Sequence, residues 1–250
     1  MEIQAGKKIR NRINTSAAEA KVTEDGEAYA KPVTIEDVKQ NEEVLAYINQ
    51  ANDSLGVLGY TEHGLRHADL TAHIAQNILR RLGMTEREAE LAAIAAFLHD
   101  IGNLISREAH GVSSALLSRD LLRELGMPPV ELAAVMTAVG GHEEESGMAV
   151  NRISAAVILA DKSDVHRSRV RNPDPTHFDI HDRVNFAAKR SFLRVVPESR
   201  EIILEIDIDT AVSQVMEYFE IFLDRMLMCR RAAELLDCKF SLVINGNKLL

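Results

Sequence analysis

The sequence predicts a mainly α fold: a helical bundle followed by a small C-terminal α+β module of order β-β-α-β. Three observations carry this. Aromatic residues are only 4% of the chain and Trp is absent, while Ala and Leu are plentiful, which favours packed helices over a β-sandwich. Five segments between Leu65 and His166 place apolar residues at helical spacing. After Asp164 the pattern changes, and period-2 alternation appears at Phe192–Val196 and Ile202–Ile208.

The elements follow in order. Residues 1–33 mix charge with small residues and read as an N-terminal arm or tail. Thr34 with Asp37 marks a helix start, and Val38, Val44, Leu45 and Ile48 continue an amphipathic pattern to about Asn52. Ser54–Gly64 is rich in glycine and reads as a loop. The first of the five helices runs from about Leu65 to Leu82, with Leu70, Ile74, Ile78 and Leu82 on one face. The second opens at the capping box Thr85 and Glu88 and runs to about Ile101. The third covers about Ala109–Leu125 and stops at Gly126 and Pro128-Pro129. The fourth covers about Pro129–Val139 and ends at Gly140-Gly141, and the fifth runs from about Met148 to His166. Arg167, Arg169, Arg171, Pro173 and Pro175 form a basic, proline-bearing boundary, which divides a helical domain (34–172) from the α+β module (173–250). In that module a short helix near 179–190 precedes the two strands. A long amphipathic helix (Thr210 to about Leu236) and a last strand (about Lys239–Ile244) complete it.

Composition narrows the function classes. The net charge of −9 argues against general electrostatic binding of nucleic acid. Cys229 and Cys238 make no metal-type C-x-x-C pair and read as reduced residues partly buried in the module. Met1–Lys31 has no apolar core segment of a secretory signal, and no apolar run reaches the roughly 18 residues that span a bilayer. A soluble, cytoplasmic protein is the expectation.

Asp161 carries the most information. It lies at helical spacing below Ile153, Ser154, Val157 and Ile158, on a face that should be buried. Aspartate is almost never fully buried unless its charge is compensated. His67 shares a helical face with Leu70, Ile74 and Ile78, and His110 is in line with Ser114, Leu117 and Leu121. His99 and Asp100 are neighbours at an alanine-rich helix end (Ala92, Ala93, Ala95, Ala96), where other helices can approach closely. Adjacent residues point about 100° apart on a helix, so both reach one cluster only near its end. His142 follows a Gly-Gly stop, where the backbone can turn a side chain inward. Four imidazoles and two carboxylates aimed at one interior indicate a metal centre. This donor set favours Fe, Mn, Co, Ni or Zn over a purely oxygen-ligated ion. Six protein ligands suit two ions better than one with an open position. Asp100 is the better bridging candidate because histidines surround it. Two such ions can clamp a phosphoryl group around a bridging hydroxide.

The motifs H-A-D-L-T-A-H-I-A, F-L-H-D-I-G-N, A-H-G-V-S-S-A-L-L, G-G-H-E-E-E-S-G and I-L-A-D-K-S-D stand in this order across roughly residues 55–170. Their sequence of His67, His99-Asp100 and Asp161 resembles the H…HD…D signature of the HD superfamily of metal-dependent phosphohydrolases. The fold it implies is an HD-domain helical bundle. His110 and His142 resemble the branch that binds two metals. That resemblance implies His67, His99, Asp100 and Asp161 around one ion, and Asp100, His110 and His142 around the other. It implies two divalent ions, iron or manganese first, with nickel, cobalt, zinc or magnesium as alternatives. The chain departs from relatives in two places. No G-Y-P follows His142, which speaks against cyclic dinucleotide cleavage of the HD-GYP type. Asn103 stands where many relatives have Lys, so a phosphate-pairing charge is missing there. The A-H-G-V, G-G-H and L-A-D-K segments are similar to those of HD-type hydrolases of bis-nucleoside tetraphosphates.

The expected function is a metal-dependent phosphohydrolase, in which a metal-activated hydroxide at a dinuclear site cleaves a nucleotide or other phosphate ester. The catalytic candidates are Asp100, Lys162, His63 and Arg66. His63 lies one turn before His67, and Arg66 and Lys162 adjoin ligands and carry charge for a phosphate. The alternatives are a di-iron oxygenase of the same fold, and a non-catalytic metal-binding sensor or dimerisation module. The expected partner is a small anionic phosphate compound, without a membrane or nucleic acid. The C-terminal module is a candidate homodimer contact. His73, on a polar helix face, should be solvated, and Glu143–Glu145 read as a solvated loop. His166, His177 and His181 read as structural or surface residues. The stripe Met216, Phe219, Phe222, Leu223, Met226 reads as core or dimer interface.

Overall fold

The computed structural model describes residues 31–144 and 147–249. The proposed N-terminal arm therefore lies almost wholly outside the described residues. Pro32–Leu250 forms one compact unit.

Helix α1 (Ile35–Lys39) starts at a Thr34/Asp37 capping box. It does not continue: Asn41 caps a second helix, α2 (Glu42–Val57), by accepting from the Glu43 and Val44 amides at 3.0 Å each. The amphipathic run that begins at Thr34 is thus two helices. Helix α2 also extends into the segment expected as a loop, because Leu55 is buried and holds the last turn to the core. Helix α3 (Leu65–Arg81) buries His67, Ala68, Thr71, Ala72, Ala75, Ile78 and Leu79. Leu70, expected inside, is 37% exposed. The buried face is set by the small residues, which let two later helices, α4 (Glu86–Leu98) and α7 (Arg152–Ser163), pack close to α3.

Helix α4 (Glu86–Leu98) is the centre of the bundle. It begins at the predicted Thr85/Glu88 capping box, and every residue from Leu91 to Leu98 is buried. A helix apolar on all sides belongs inside a core, and α3, α6 (Pro129–Gly140) and α7 surround this one. A 3-10 turn (Ile101–Leu104) leads to α5 (His110–Glu124), then α6 (Pro129–Gly140) and α7 (Arg152–Ser163). Helix α7 starts later than the sequence suggests, because the Asn151 side chain caps it by accepting from the Ser154 amide at 2.8 Å.

Helix α8 (Ile180–Ala187) passes directly into β1 (Ala188–Val196). The predicted order follows: β2 (Glu201–Ile208), α9 (Val215–Leu235) and β3 (Lys239–Ile244). The sheet order is β1-β2-β3-β4, with β1 antiparallel to β2 and β2 parallel to β3. A parallel pair needs a crossover, and α9 is that crossover. Ile202, Leu204, Ile206 and Ile208 alternate inward along β2 beside Phe240, Leu242 and Ile244 of β3. Strand β4 (Asn247–Lys248) is an addition to the sequence reading. It folds back through Asn245 (φ 49°) and Gly246 (φ 77°), both in the left-handed region that a tight type I′ hairpin needs.

Helix α9 packs on α7 and β3. Its stripe is only partly core: Phe222 and Met226 are buried, while Met216 and Leu223 are 66% and 52% exposed. Both cysteines are buried and free. Among the described residues, no helix is long and apolar enough to cross a membrane.

Candidate metal centre

The helix termini place the histidines. Helix α4 ends at Leu98, His99 is its C-cap, and Asp100 (φ −100°, ψ 0°) opens the 3-10 turn. The helix stops between these two residues, so both side chains reach the same interior point. His67 sits in the first turn of α3, His110 begins α5 behind the left-handed Ala109 (φ 54°), and His142 follows the Gly141 cap of α6. Asp161 comes from the last turns of α7.

Each imidazole is fastened through Nδ1. His99 Nδ1 lies 2.6 Å from the Ala96 carbonyl oxygen, and His142 Nδ1 lies 2.6 Å from that of Val139. Both acceptors are helix-end carbonyls left without an intrahelical partner. His110 Nδ1 lies 3.0 Å from the Arg107 carbonyl oxygen and 2.6 Å from Glu143 Oε1. His67 Nδ1 lies 2.7 Å from Asp164 Oδ2. With acceptors at every Nδ1, the hydrogen bonds assign a proton there and turn every Nε2 towards the interior.

Those nitrogens converge. His67 and His99 Nε2 are 3.3 Å apart, and His110 and His142 Nε2 are 3.0 Å apart. Ring nitrogens so close repel unless a proton or a metal ion lies between them. The carboxylates complete two groups. Asp100 Oδ2 lies 3.2 Å from His99 Nε2 and 3.6 Å from His67 Nε2. Its other oxygen lies 3.2 Å from His110 Nε2 and 3.7 Å from His142 Nε2. Asp161 Oδ1 stands 3.4 Å from His67 and 3.6 Å from His99 Nε2. Lys162 Nζ holds its Oδ2 at 2.7 Å.

The electrostatics agree with this arrangement. Burial pushes the His99 imidazole down, but Asp100 and Asp161 outweigh it and raise its pKa to about 10. Burial lowers that of His142 to about 4. Burial also opposes ionisation of Asp100, yet His99 and the other imidazoles hold its carboxyl well below the usual range. The side chains thus build a buried field that demands positive charge, with imidazole and carboxylate donors aimed into it. This donor set fits divalent transition ions.

The remaining candidates stand around this centre. His63 is half-buried, with its ring 5.6 Å from that of His67 and its Nδ1 2.7 Å from the Thr61 carbonyl oxygen. Burial, with Arg169 nearby, pushes its pKa well down, so it is neutral. Arg66 pairs with Glu62 and Asp164, both at 2.8 Å. Lys162 is buried and reaches Glu144 at 3.4 Å as well as Asp161. Both cations are occupied by carboxylates. His73 is exposed, as are His177 and His181, and His166 contacts the Lys189 carbonyl oxygen at 3.1 Å.

Glu143 and Glu144 are not the solvated loop the sequence suggests. Glu143 contacts His110 and accepts from the Gly111 amide at 3.0 Å, and Glu144 joins Lys162 to Arg225 of α9. Glu145 lies outside the described residues. The sequence reading also misses Asp164, which is buried against His67, Arg66 and Arg169. Its position three residues after Asp161 is the signal that could have found it. Asn103 donates its amide to the Asp100 carbonyl oxygen at 2.9 Å and to Oδ1 at 3.1 Å, so it braces the shared carboxylate. Arg169, read as part of a boundary, is buried and donates to the Glu62 and Asp164 carbonyl oxygens.

The helical bundle brings these histidines and aspartates together, and residues 62–171 match the HD domain family. Over this span the chain carries an HD domain. An uncharacterized protein of Methanocaldococcus jannaschii is 31% identical over 166 residues, which cover 57% of this chain and 63% of that protein. Ribonuclease Y of Aquifex aeolicus is 34% identical over 112 residues, covering 45% of this chain and 18% of the ribonuclease. The chain thus spans less than two thirds of the length of either relative.

Proposed function

We propose that the chain is a metal-dependent phosphohydrolase that cleaves a nucleotide or another phosphate ester at a centre of two divalent ions. The observation that carries this reading is the set of four Nδ1-fastened imidazoles whose Nε2 atoms meet around the two oxygens of Asp100. His67, His99, Asp161 and Asp100 Oδ2 would hold one ion, and His110, His142 and Asp100 Oδ1 the other. When bound, the ions lower the pKa of a coordinated water and neutralise charge on a phosphoryl group.

The chain's own residues do the rest. Asp100 ties both ligand sets into one unit, and Asn103 keeps it from rotating. Lys162 holds one oxygen of Asp161 and leaves the other to face the imidazoles. Arg66 holds Asp164, which orients His67. His63 keeps a neutral ring beside His67, with its Nδ1 held by the Thr61 carbonyl oxygen and its Nε2 left to hydrogen-bond an incoming ligand. The Aquifex aeolicus relative, named a ribonuclease, is consistent with attack on phosphorus.

The test pairs elemental analysis with turnover. Protein reconstituted separately with iron and with manganese is offered a panel of phosphomonoesters, phosphodiesters and nucleotides. Two ions per chain and hydrolysis of at least one class are expected. Full metal content with no cleavage across the panel would refute the reading.

A further inference from the structure

We infer that Arg107 grips a non-bridging phosphoryl oxygen of the substrate, at the edge of the ligand set formed by Asp100, His110 and His142. The inference rests on the hydrolase reading for its substrate class, but its geometry is independent. Arg107 lies between the 3-10 turn and α5 and is half-buried. Its Nη1 stands 3.5 Å from His110 Nε2 and 3.3 Å from Asn103 Oδ1. Its guanidinium carbon lies 5.5 Å from the centre of the Tyr60 ring, within cation–π range.

Three arguments converge on this residue. The first is elimination. Arg66 and Arg169 are tied to Asp164, while Lys162 and Arg225 are tied to Glu144. Arg107 makes no ion pair with a carboxylate among the described residues. It is therefore the cation beside the centre whose charge an incoming anion can use. The second is donor capacity. A guanidinium carries five N–H donors in a planar fork, and the two long contacts of Nη1 leave most of them for a ligand. The third is charge balance. The guanidinium stands against the very nitrogen that would coordinate an ion, and two cations there repel. An anion between them relieves the repulsion, and a phosphoryl oxygen has the charge and geometry for it. Arg107 thereby supplies the phosphate charge that Asn103 lacks, from four residues further along. Tyr60 limits where the guanidinium can swing.

Calorimetry with inorganic phosphate, on the manganese-loaded full chain, tests this in the wild type, Arg107→Gln and Arg107→Lys. Elemental analysis runs alongside. Metal content is expected to stay the same in all three. Phosphate affinity should fall about tenfold or more in R107Q and by an intermediate factor in R107K, which keeps the charge but loses the fork. Equal phosphate affinity in wild type and R107Q overturns the assignment, as does loss of metal in both variants, which would place Arg107 among the supports of the ligands. The hydrolase reading fails separately. A wild type that binds phosphate through Arg107 but cleaves no ester supports this assignment and refutes that one. A wild type that cleaves esters while R107Q binds phosphate unchanged does the reverse.

Discussion

Gly102→Ala is a small change with a calculable effect. Gly102 lies in the 3-10 turn just after His99-Asp100, and its amide donates to Ser114 Oγ at 2.8 Å. A Cβ at this position would stand 2.7 Å from Ser114 Oγ, and closer still to the His110 carbonyl oxygen and the Ser114 amide. Those last two atoms are backbone of α5, so no side chain can swing away. To regain the 3.4 Å of ordinary contact, the first turns of α5 must retreat by roughly 1 Å. Overpacking of this kind costs about 1–3 kcal/mol, and weakening the Ser114 bond adds about 1 kcal/mol. For a chain of this size, a loss of about 2–4 kcal/mol lowers Tm by roughly 4–16 °C. His110 opens α5 and moves with it, whereas metal–ligand distances tolerate only about 0.2 Å. Melting followed by circular dichroism in the presence of a chelator reads the packing cost alone. On the two-ion reading proposed above, manganese stoichiometry then reads the displaced His110, and one ion fewer per chain is expected. A G102A chain that melts within about a degree of wild type and binds the same manganese would refute the reasoning.

Three further perturbations have defined outcomes. Asp164→Asn removes the carboxylate that orients His67, and metal affinity, read by competition with a chromophoric chelator, should fall about 10–100-fold; unchanged affinity would count against that role. Arg225→Met leaves Glu144 with Lys162 alone and should cost about 1–3 kcal/mol in denaturant unfolding, with the E144Q/R225M double variant losing less than the sum of the singles; simple additivity would mean that the pair is not coupled. Glu217 is the pH test, because its hydrogen bond from Arg183, aided by one from Ser213, lowers its pKa from 4.5 to about 2. A carboxylate depressed in the folded state contributes stability that is fully present above the unfolded value and is lost as pH falls through the folded one. The stability gap between wild type and Glu217→Gln should therefore be constant above pH 4.5 and close towards pH 2, and a gap that widens on acidification would reverse the assignment.

The parts of this structure written in local patterns were legible in the chain. The Thr85/Glu88 capping box, the Gly126 stop and the alternation of Ile202–Ile208 each fix an element through neighbours within a few residues. The histidines were legible for the same reason, since polar residues on apolar stripes or beside helix stops are anomalies of local pattern. The spatial grouping of the six side chains follows the order the sequence suggests. Asp164, Glu143 and Arg107 were not legible, because their roles depend on what a distant helix brings opposite them. Asp164 meets His67 across 97 residues. The break at Gln40-Asn41 hid because Val38 and Val44 keep one apolar rhythm across it, although both are buried in separate helices. Strand β4 did have a local signal, the Asn245-Gly246 pair, one of the strongest short-range hairpin signs.

The anchoring of the imidazoles bears on how this chain can change over time. Three of the four rings hang on main-chain oxygens, those of Ala96, Arg107 and Val139. No single substitution removes a peptide carbonyl, so the aim of these rings does not depend on which side chains stand at those three positions. His110 adds the Glu143 carboxylate to its carbonyl, and His67 alone has only a side chain, that of Asp164, as the tether of its Nδ1. The weakest stitch in the centre is therefore a codon outside the H…HD…D pattern by which such centres are recognised.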